Sequence, residues 1–382
     1  MVCELLSRPN VLELLQILIQ TPSVNPCLAP EQGQGEEAIA KVAQKWLTEH
    51  GIKSWLEEVA SGRPNVVAEI GPGKVPTLVF CAHLDTVGTT GMTIPPFEPR
   101  VEGNRAYGRG SYDMKGGAAA VMSAAVALGH DDDYPGRVLL ALVADEEYAS
   151  IGAQDFVKRH KADACVLTEP SEGRLILGHK GFVWAEIVAK GRAAHGSRWD
   201  LGVSAIAKMG RIIAALERFD QQELRSRTHP LVGPASQHCS LVHGGSGLST
   251  YAEECTLKIE RRTVPGETPE QVLKELKEVI RSTGEDAQVQ LLLDRPPLSC
   301  DANAKIVTAL RESITSVTGQ TPEVSGVSYW MDAALFAAAG IPSVNYGPSG
   351  AGAHEAEEWV NLDSVVTCAQ VLVKAAWNFS RC

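Results

Sequence analysis

A histidine and an aspartate, His83 and Asp85, follow a run of apolar and β-branched residues at positions 78–82. Such a run predicts a buried strand, and residues two apart on a strand project from one face, so the two side chains can lie together. An imidazole with a neighbouring carboxylate at the end of a strand is a common way of holding a metal. A single such pair is more often an ordinary polar pair, so the other ligands of a metal site must come from elsewhere in the chain.

Acidic side chains follow two further apolar stretches. Residues 145–147 are Asp-Glu-Glu and come directly after the predicted strand 138–144, and Glu169 follows the predicted strand 164–168. Open α/β folds place their ligands at the carboxyl ends of strands. Three adjacent acids repel one another unless they are solvated or neutralised by a cation. Because adjacent side chains point in different directions, one glutamate can bind metal while its neighbour faces substrate as a general base.

Two glycine-rich loops add an aspartate and a second histidine. Asp113 lies in residues 108–117, which open a predicted helix over 116–128, and His354 ends the loop 347–354. Taken alone, Asp113 is read more simply as a helix N-cap and His354 as an ordinary loop residue. Together with the strand ends they complete a set of nitrogen and oxygen donors without a thiolate: His83, Asp113, Glu147, Glu169 and His354. Mixed imidazole and carboxylate ligation is typical of dinuclear zinc hydrolases, in which paired metals activate water for amide cleavage.

Composition and charge restrict the class of partner. The 382-residue chain is 44% hydrophobic and 21% charged, and its formal charge of −11 argues against nucleic acid or an anionic membrane as a partner. Its nine cysteines are scattered without a C-x-x-C pair, which indicates reduced thiols in a cytoplasmic protein. Glu4 occupies a position that a signal peptide keeps free of acid, and uninterrupted apolar runs stay shorter than the roughly 18 residues of a membrane span.

The rhythm of strands and helices changes twice along the chain. Up to about residue 177, and again after about residue 302, apolar strands alternate with helices, which predicts an α/β fold with a mostly parallel sheet. Between these parts, the order βαββαβ is typical of a ferredoxin-like α+β unit, whose second helix opens with a capping box at 268–271. The predicted domains are therefore 1–177 and 295–382, the two parts of a catalytic α/β domain, with 178–294 inserted between them.

Six blocks of sequence, in this order, resemble the dinuclear zinc aminoacylase/carboxypeptidase family, whose members include acetylornithine deacetylase, succinyl-diaminopimelate desuccinylase, aminoacylases and glutamate carboxypeptidases. The blocks are residues 83–87, 108–117, 145–147, 169–170, 194–197 and 347–354. Their order and spacing extend through nearly the whole chain and are far more specific than any one block. The resemblance implies a metal-dependent amidohydrolase, whose smaller domain serves as a lid and as the contact between the subunits of a homodimer.

The resemblance also implies two Zn²⁺ ions per subunit, which Co²⁺ can replace. His83 and Glu169 would hold one metal, Glu147 and His354 would hold the other, and Asp113 would bridge the two. All five donors are present. A catalytically silent, metal-binding dimeric module is therefore the weaker alternative from a different functional class.

Four more residues take roles by the same resemblance. Glu146 would be the general base that takes a proton from the water between the metals and returns it to the leaving amine. Asp85 would fix the tautomer of the neighbouring histidine. His195 would reach the partner subunit's site and stabilise the oxyanion. Arg262 would bind the carboxylate of the substrate, with Arg261 as a close competitor.

The expected substrate is an N-acyl amino acid or a short peptide with a free α-carboxylate. Two activities compete: deacylation of the acetylornithine type, and release of a C-terminal amino acid such as glutamate by a carboxypeptidase or dipeptidase. The chain has Ser249 and Ala252 where many family members have asparagine and proline, in a region that shapes the substrate pocket. This departure leaves the acyl-group preference open and does not affect the metal ligands.

Overall fold

A computed structural model describes residues 5–73 and 76–381, and within these residues the chain forms two compact units. Unit 1 lies within Met1–Leu177, Cys300–Ser325 and Met331–Cys382, and unit 2 consists of Gly178–Ser299 and Gly326–Trp330. Unit 2 is therefore inserted into the sequence of unit 1. Each unit has its own sheet.

The helices of the described residues are α1 (Arg8–Gln20), α2 (Glu37–Glu49), α3 (Gly116–Gly129), α4 (Ile151–Arg159), α5 (Ala205–Gln222), α6 (Pro269–Ser282), α7 (Lys305–Thr318), α8 (Ala333–Ala338) and α9 (Leu362–Ser380). α3 is buried on all sides from Gly116 to Leu128, as is typical of an apolar helix inside a core. α6 begins as predicted, because the hydroxyl of Thr268 accepts a hydrogen bond from the amide of Gln271. α9 was not predicted, and it packs against α3 and α7. Within the described chain, no helix is both long enough and apolar enough to cross a membrane.

The strands of the described residues are β1 (Ser54–Ala60), β2 (Arg63–Ile70), β3 (Thr77–His83), β4 (Arg100–Glu102), β5 (Arg105–Tyr107), β6 (Arg137–Val143), β7 (Ala164–Leu167), β8 (Leu175–His179), β9 (Gly181–Lys190), β10 (Thr228–His229), β11 (Gly233–Pro234), β12 (Ser236–Gly244), β13 (Glu254–Thr263), β14 (Ala287–Arg295), β15 (Leu298–Ser299), β16 (Val324–Val327), β17 (Ser343–Asn345), β18 (Gly350–Ala351) and β19 (Trp359–Asn361).

The main sheet of unit 1 has the strand order β1-β2-β6-β3-β7-β17-β8. Its central strands β6, β3, β7 and β17 are parallel, while β1, β2 and β8 pair with their neighbours in antiparallel fashion. β3 is buried along its whole length, which explains why its residues are apolar from Leu78 up to the final histidine. The predicted α/β fold with a mostly parallel sheet is confirmed. Because the central strands are parallel, their carboxyl ends meet at one edge of the sheet.

The sheet of unit 2 is antiparallel, with the order β12-β13-β9-β14, and α5 and α6 pack against it. The chain order β9-α5-β12-β13-α6-β14 is the ferredoxin-like order predicted for this segment. The unit extends past the predicted boundary at residue 294. It does so because β15 pairs with residues 178–179, and because the indole N–H of Trp330 donates to the carbonyl oxygen of Pro296 at 3.0 Å.

Candidate metal centre

The five predicted donors lie at the ends of the parallel strands of unit 1 or in loops near them. His83 is the last residue of β3, Glu147 follows β6, Glu169 follows β7, and His354 lies between β18 and β19. Asp113 lies in the irregular turn 111–115 that precedes α3. The N-cap of α3 is two residues further on and has no side-chain cap, so the simpler interpretation of Asp113 as a helix cap is wrong.

The structure brings these donors together in two groups that share Asp113. One oxygen of Asp113, Oδ1, lies 3.2 Å from Nε2 of His83, and the other, Oδ2, lies 3.3 Å from Nε2 of His354. Glu169 Oε1 is 3.6 Å from the first imidazole, and both oxygens of Glu147 are 3.2 Å from the second. Within each group of three, the donor atoms lie within 4.8 Å of one another. A carboxylate with one oxygen directed at each imidazole has the arrangement that a bridging ligand requires.

The electrostatics of the two groups favour cations. Burial raises the pKa of Glu169 well above its ordinary value, and the negative charge of Asp113 adds to the rise. Hydrogen bonds to Asp113 and Glu147 raise the pKa of His354 to about 10. Burial alone would lower the pKa of His83, but the charge of Glu169 and the hydrogen bond to Asp113 raise it well above its ordinary value. The acids thus hold positive charge on the imidazoles, and a pair of divalent cations fits the same nitrogen and oxygen donors.

Glu146 stands beside the donors with a perturbed acidity. Burial raises the pKa of its carboxyl well above the ordinary value, and the negative charges of Glu169 and Glu147 act in the same direction. A carboxyl group with a raised pKa can both take and return a proton near neutral pH. Glu146 is therefore a candidate for proton transfer beside the donors.

Asp85 lies just beyond the end of β3, and its contacts differ from the predicted side-by-side pair. Nδ1 of His83 lies 2.9 Å from the backbone carbonyl oxygen of Asp85 and 3.5 Å from its carboxylate. Because a carbonyl oxygen can only accept, Nδ1 carries the proton and Nε2 faces Asp113 and Glu169. The carboxylate of Asp85 instead accepts the backbone N–H groups of Glu146 and Glu147, both at 3.1 Å. Asp85 therefore orients the histidine through its main chain. Through its side chain it holds the loop that carries Glu146 and Glu147, referred to below as the Glu-Glu loop.

A third group of buried carboxylates consists of Glu36, Asp85 and Asp145. A guanidinium already occupies the place of a cation there: Nε of Arg63 lies 2.7 Å from Glu36 Oε2, and Nη1 lies 2.8 Å from Asp145 Oδ1. The amide of Asn25 donates to Asp85 at 2.7 Å and to Asp145 at 2.9 Å. The group is a brace behind the Glu-Glu loop, where Asp145 has a φ of 71°, and not a metal site.

The brace residues Arg63, Glu36 and Asn25 were not predicted as part of the site. They follow no apolar strand and carry no motif, so only their spatial proximity reveals them. Asp145 was predicted, but as one of three acids in a solvated or metal-bound run. In the structure its charge is neutralised by Arg63, which removes one acid from the repulsion that the sequence suggests.

His195 and Arg262 belong to unit 2. His195 is exposed, and its Nδ1 accepts the backbone N–H of Ser197 at 3.2 Å, so a neutral imidazole carries its proton on Nε2. Arg262 pairs with Glu260, lies 5.5 Å from the ring centre of Phe182, and keeps its side chain 36% exposed.

Arg261, the competitor of Arg262, is fully buried. Its guanidinium pairs with Glu267 at 3.1 Å and with Glu275 at 2.8 Å, and its side chain is 0% exposed. A guanidinium that is already held by two carboxylates is unavailable to a third. Arg262, which is partly exposed and pairs with a single carboxylate, is therefore the better candidate of the two for binding an external carboxylate.

Comparison with known proteins agrees with this geometry. A family profile described as peptidase family M20/M25/M40 matches residues 79–378. An acetylornithine deacetylase from Vibrio atlanticus (strain LGP32) is 27% identical over 383 residues, which cover 96% of this chain and 98% of that protein. These matches confirm the resemblance carried by the six sequence blocks.

Solved structures share the fold. Aminopeptidase PepT from Bacillus cereus ATCC 10987 has a TM-score of 0.81 at 19% identity, with 99% of this chain and 100% of that chain covered. A dinuclear metal-binding peptidase of the M20 family from Bacillus subtilis has a TM-score of 0.77 at 18% identity, with 98% of each chain covered. Since the family profile extends over most of the chain and the fold agrees, the chain belongs to peptidase family M20/M25/M40 and is a metal-dependent hydrolase.

Proposed function

We propose that this protein is an N-acyl-amino-acid deacylase of the acetylornithine deacetylase type, acting with two Zn²⁺ ions per subunit. The observation that carries the proposal is the carboxylate of Asp113, whose two oxygens lie 3.2 Å from His83 and 3.3 Å from His354. Glu169 would complete one metal position and Glu147 the other. The Vibrio atlanticus acetylornithine deacetylase, aligned over nearly the whole chain, supports this substrate class.

The chain's own residues account for the proton transfers and for the placement of the reacting groups. Zn²⁺ ions bound there, or Co²⁺ in their place, would polarise the amide carbonyl and lower the pKa of a bound water. Glu146 takes a proton from the attacking water and returns it to the leaving amine. Asp85 fixes the position of this base, because it accepts the backbone N–H of Glu146 at 3.1 Å.

Two residues of unit 2 would act on the substrate itself. The exposed guanidinium of Arg262 would bind the α-carboxylate, since the neighbouring Arg261 is enclosed by acids. His195 would reach the site of a partner subunit and donate from Nε2 to the oxyanion that forms when the amide is attacked. This role requires a homodimer in which unit 2 is both the lid and the subunit contact. The small substrate is the other expected partner.

A second candidate function is release of a C-terminal amino acid such as glutamate by a carboxypeptidase or dipeptidase. The family description, which names peptidases, favours it. Both activities hydrolyse an amide next to a free α-carboxylate, so the same metal donors and the same base serve either. They differ in the group on the far side of the amide. A silent metal-binding module, the alternative from another class, would need neither Glu146 nor Arg262.

A substrate panel with one matched variant tests these alternatives. The zinc-loaded enzyme is assayed on N-acetylornithine, N-succinyl-diaminopimelate and peptides that end in glutamate. The highest kcat/KM on N-acetylornithine is expected, and a preference for the peptides would establish the carboxypeptidase instead. Glu146→Gln should keep its metal content and lose about 10²–10⁴ in kcat. Near-normal rates in this variant would exclude Glu146 as the base, and no turnover on any amide would support the silent module.

The homodimer and a cytoplasmic location complete the proposal. The seven cysteines among the described residues are all free of disulfide bonds, which supports a reducing compartment. Light scattering on the purified protein measures the mass directly. A monomer at micromolar concentration with full activity would contradict both the dimer and the role of His195 across subunits.

A further inference from the structure

One carboxylate, that of Glu358, organises the turn that carries Asp113. Glu358 is 1% exposed. Its Oε1 accepts the backbone N–H groups of Tyr112 and Asp113, both at 2.9 Å. Its Oε2 accepts the backbone N–H of Gly110 and an N–H of the Arg109 guanidinium, both at 2.8 Å. Three main-chain donors of one short segment and one guanidinium therefore converge on a single side chain.

The turn needs such an acceptor because its own backbone cannot provide one. Gly110 is in the left-handed region at φ 79°, and Asp113, at φ −117° and ψ 95°, is far from helical angles. These angles direct successive N–H groups towards one point, as in an anion-binding nest. Buried main-chain donors left without acceptors are costly, so the segment keeps this shape only if a carboxylate fills the nest.

The same side chain joins two parts of the metal centre. Glu358 lies four residues after His354, and its backbone carbonyl oxygen accepts the N–H of Gly108 at 3.1 Å. The loop that carries His354 and the turn that carries Asp113 are therefore tied together through both the main chain and the side chain of Glu358. A shift of one part relative to the other would break these bonds.

The contribution of Glu358 is geometric and adds no net charge to the centre. Its negative charge is matched by Arg109, which is 2% exposed. Arg109 also donates to the carbonyl oxygens of Gly88 and Glu355, both at 3.2 Å, so it holds the surrounding loops as well. Loss of the carboxylate would leave this guanidinium with main-chain acceptors only.

We propose that Glu358 is a positioning residue for the metal centre: it fixes the carboxylate of Asp113 between the imidazoles of His83 and His354. The inference rests on the proposed function, in which Asp113 is the shared ligand. Partners that orient a ligand commonly change metal affinity by about 10–100-fold when they are replaced. Glu358 is thus expected to set metal affinity without touching a metal or the substrate.

The test measures metal binding directly. Glu358→Gln keeps the size of the side chain but converts one acceptor oxygen into an amide N–H₂ that faces other donors. Zinc affinity, measured by competition with a chromophoric chelator, should weaken about 10–100-fold. The visible spectrum of the cobalt-loaded variant should shift, because the ligand geometry has changed. Glu358→Asp keeps the charge on a shorter side chain, so its zinc affinity should lie between those of the wild type and Glu358→Gln. It provides the measurement if Glu358→Gln does not fold.

Two further variants make the outcome decisive. Glu57→Gln is the matched control, since the Glu57 side chain also lies in unit 1 and is only 11% exposed, but it contacts His160 and Trp55 at 3.0 and 2.8 Å. It should bind zinc like the wild type. Asp113→Asn is the reference for losing the shared ligand. If Asp113→Asn weakens zinc binding and neither Glu358 variant does, the positioning inference is overturned; if Asp113→Asn has no effect, the proposed metal centre fails.

Discussion

Replacing Arg63, which lies in the brace behind the Glu-Glu loop, by methionine should lower the free energy of unfolding of the protein. The size of this loss should depend strongly on pH. The side chain of Arg63 is 9% exposed, and that of Glu36 is 0% exposed, so their ion pair is excluded from water. Asp145 keeps the amides of Asn25 and Ala149 as donors after the substitution. Glu36 loses both of its contacts with the Arg63 guanidinium, so its carboxylate is the group that the substitution destabilises most.

The size of the effect follows from the proton that Glu36 must bind. Burial already raises the pKa of Glu36, and Arg63 opposes this rise. Without the arginine, the buried carboxylate avoids its charge by taking a proton in the folded state. At pH 7 this costs about 1.4 kcal/mol for each of the roughly 2.5 pH units above the ordinary pKa of 4.5, or about 3.5 kcal/mol. The folded state then binds more protons than the unfolded state, so stability falls as pH rises. At pH 5 the cost should be about 0.7 kcal/mol.

Urea unfolding of the metal-free protein between pH 5 and pH 7.5, followed by circular dichroism, measures this difference. The double variant Arg63→Met/Glu36→Gln should recover most of the loss, because Glu36 no longer carries a charge and Asp145 keeps its hydrogen bonds from Asn25 and Ala149. Arg137→Met is the matched control, since Arg137 pairs with the half-exposed Glu69 and should change stability by less than about 1 kcal/mol at any pH. A loss in Arg63→Met that is the same at pH 5 and pH 7 would refute the reasoning.

Three further predictions concern metal and substrate. Chelation with EDTA should abolish hydrolysis and lower the Tm, because bound Zn²⁺ would stabilise the fold by about 4 kcal/mol at a thousandfold excess over its Kd. Added Zn²⁺ or Co²⁺ should restore both the activity and the Tm. A Tm that EDTA leaves unchanged would contradict a resident metal. His195→Gln should lower kcat about 10²–10³-fold with unchanged metal content measured by emission spectroscopy, and an unchanged kcat would exclude the oxyanion role. Arg262→Lys should raise KM with little change in Tm. Arg261→Lys should lower the Tm, since Arg261 pairs with Glu267 and Glu275. The reverse pattern would make Arg261 the residue that binds the substrate carboxylate and Arg262 the structural one.

The positions of the five donors were predictable because the sequence pattern and the topology agree. His83 and Glu169 each follow a fully apolar strand, and in a parallel sheet such strand ends must meet at one edge. The alternation along β13 also contained an unused signal. Arg261 shares its strand face with Leu257 and Ile259, which are buried, so the same alternation that predicts a half-buried strand places Arg261 inside and Arg262 outside.

The supporting contacts were not predictable, because they join residues far apart in sequence and of ordinary type. Glu358 and Arg63 are charged residues in polar surroundings, and nothing in their spacing distinguishes them from surface charges. The detailed contacts of Asp85 were missed for a different reason. A strand was expected to continue through Asp85, but β3 ends at His83, and the change in backbone direction exchanges a side-chain contact for a main-chain one.

The place of β17 in the sheet has a consequence for the order in which the protein is made. β17 lies between β7 and β8, yet β8 ends at His179 and β17 begins at Ser343, after all of the long insert has been synthesised. A growing chain therefore presents the His83 group of donors early, while His354 emerges from the ribosome last. The proposed centre can therefore be completed only after this last part of the chain has been synthesised, because His354 and Glu358, the acceptor that shapes the turn of Asp113, both follow β17.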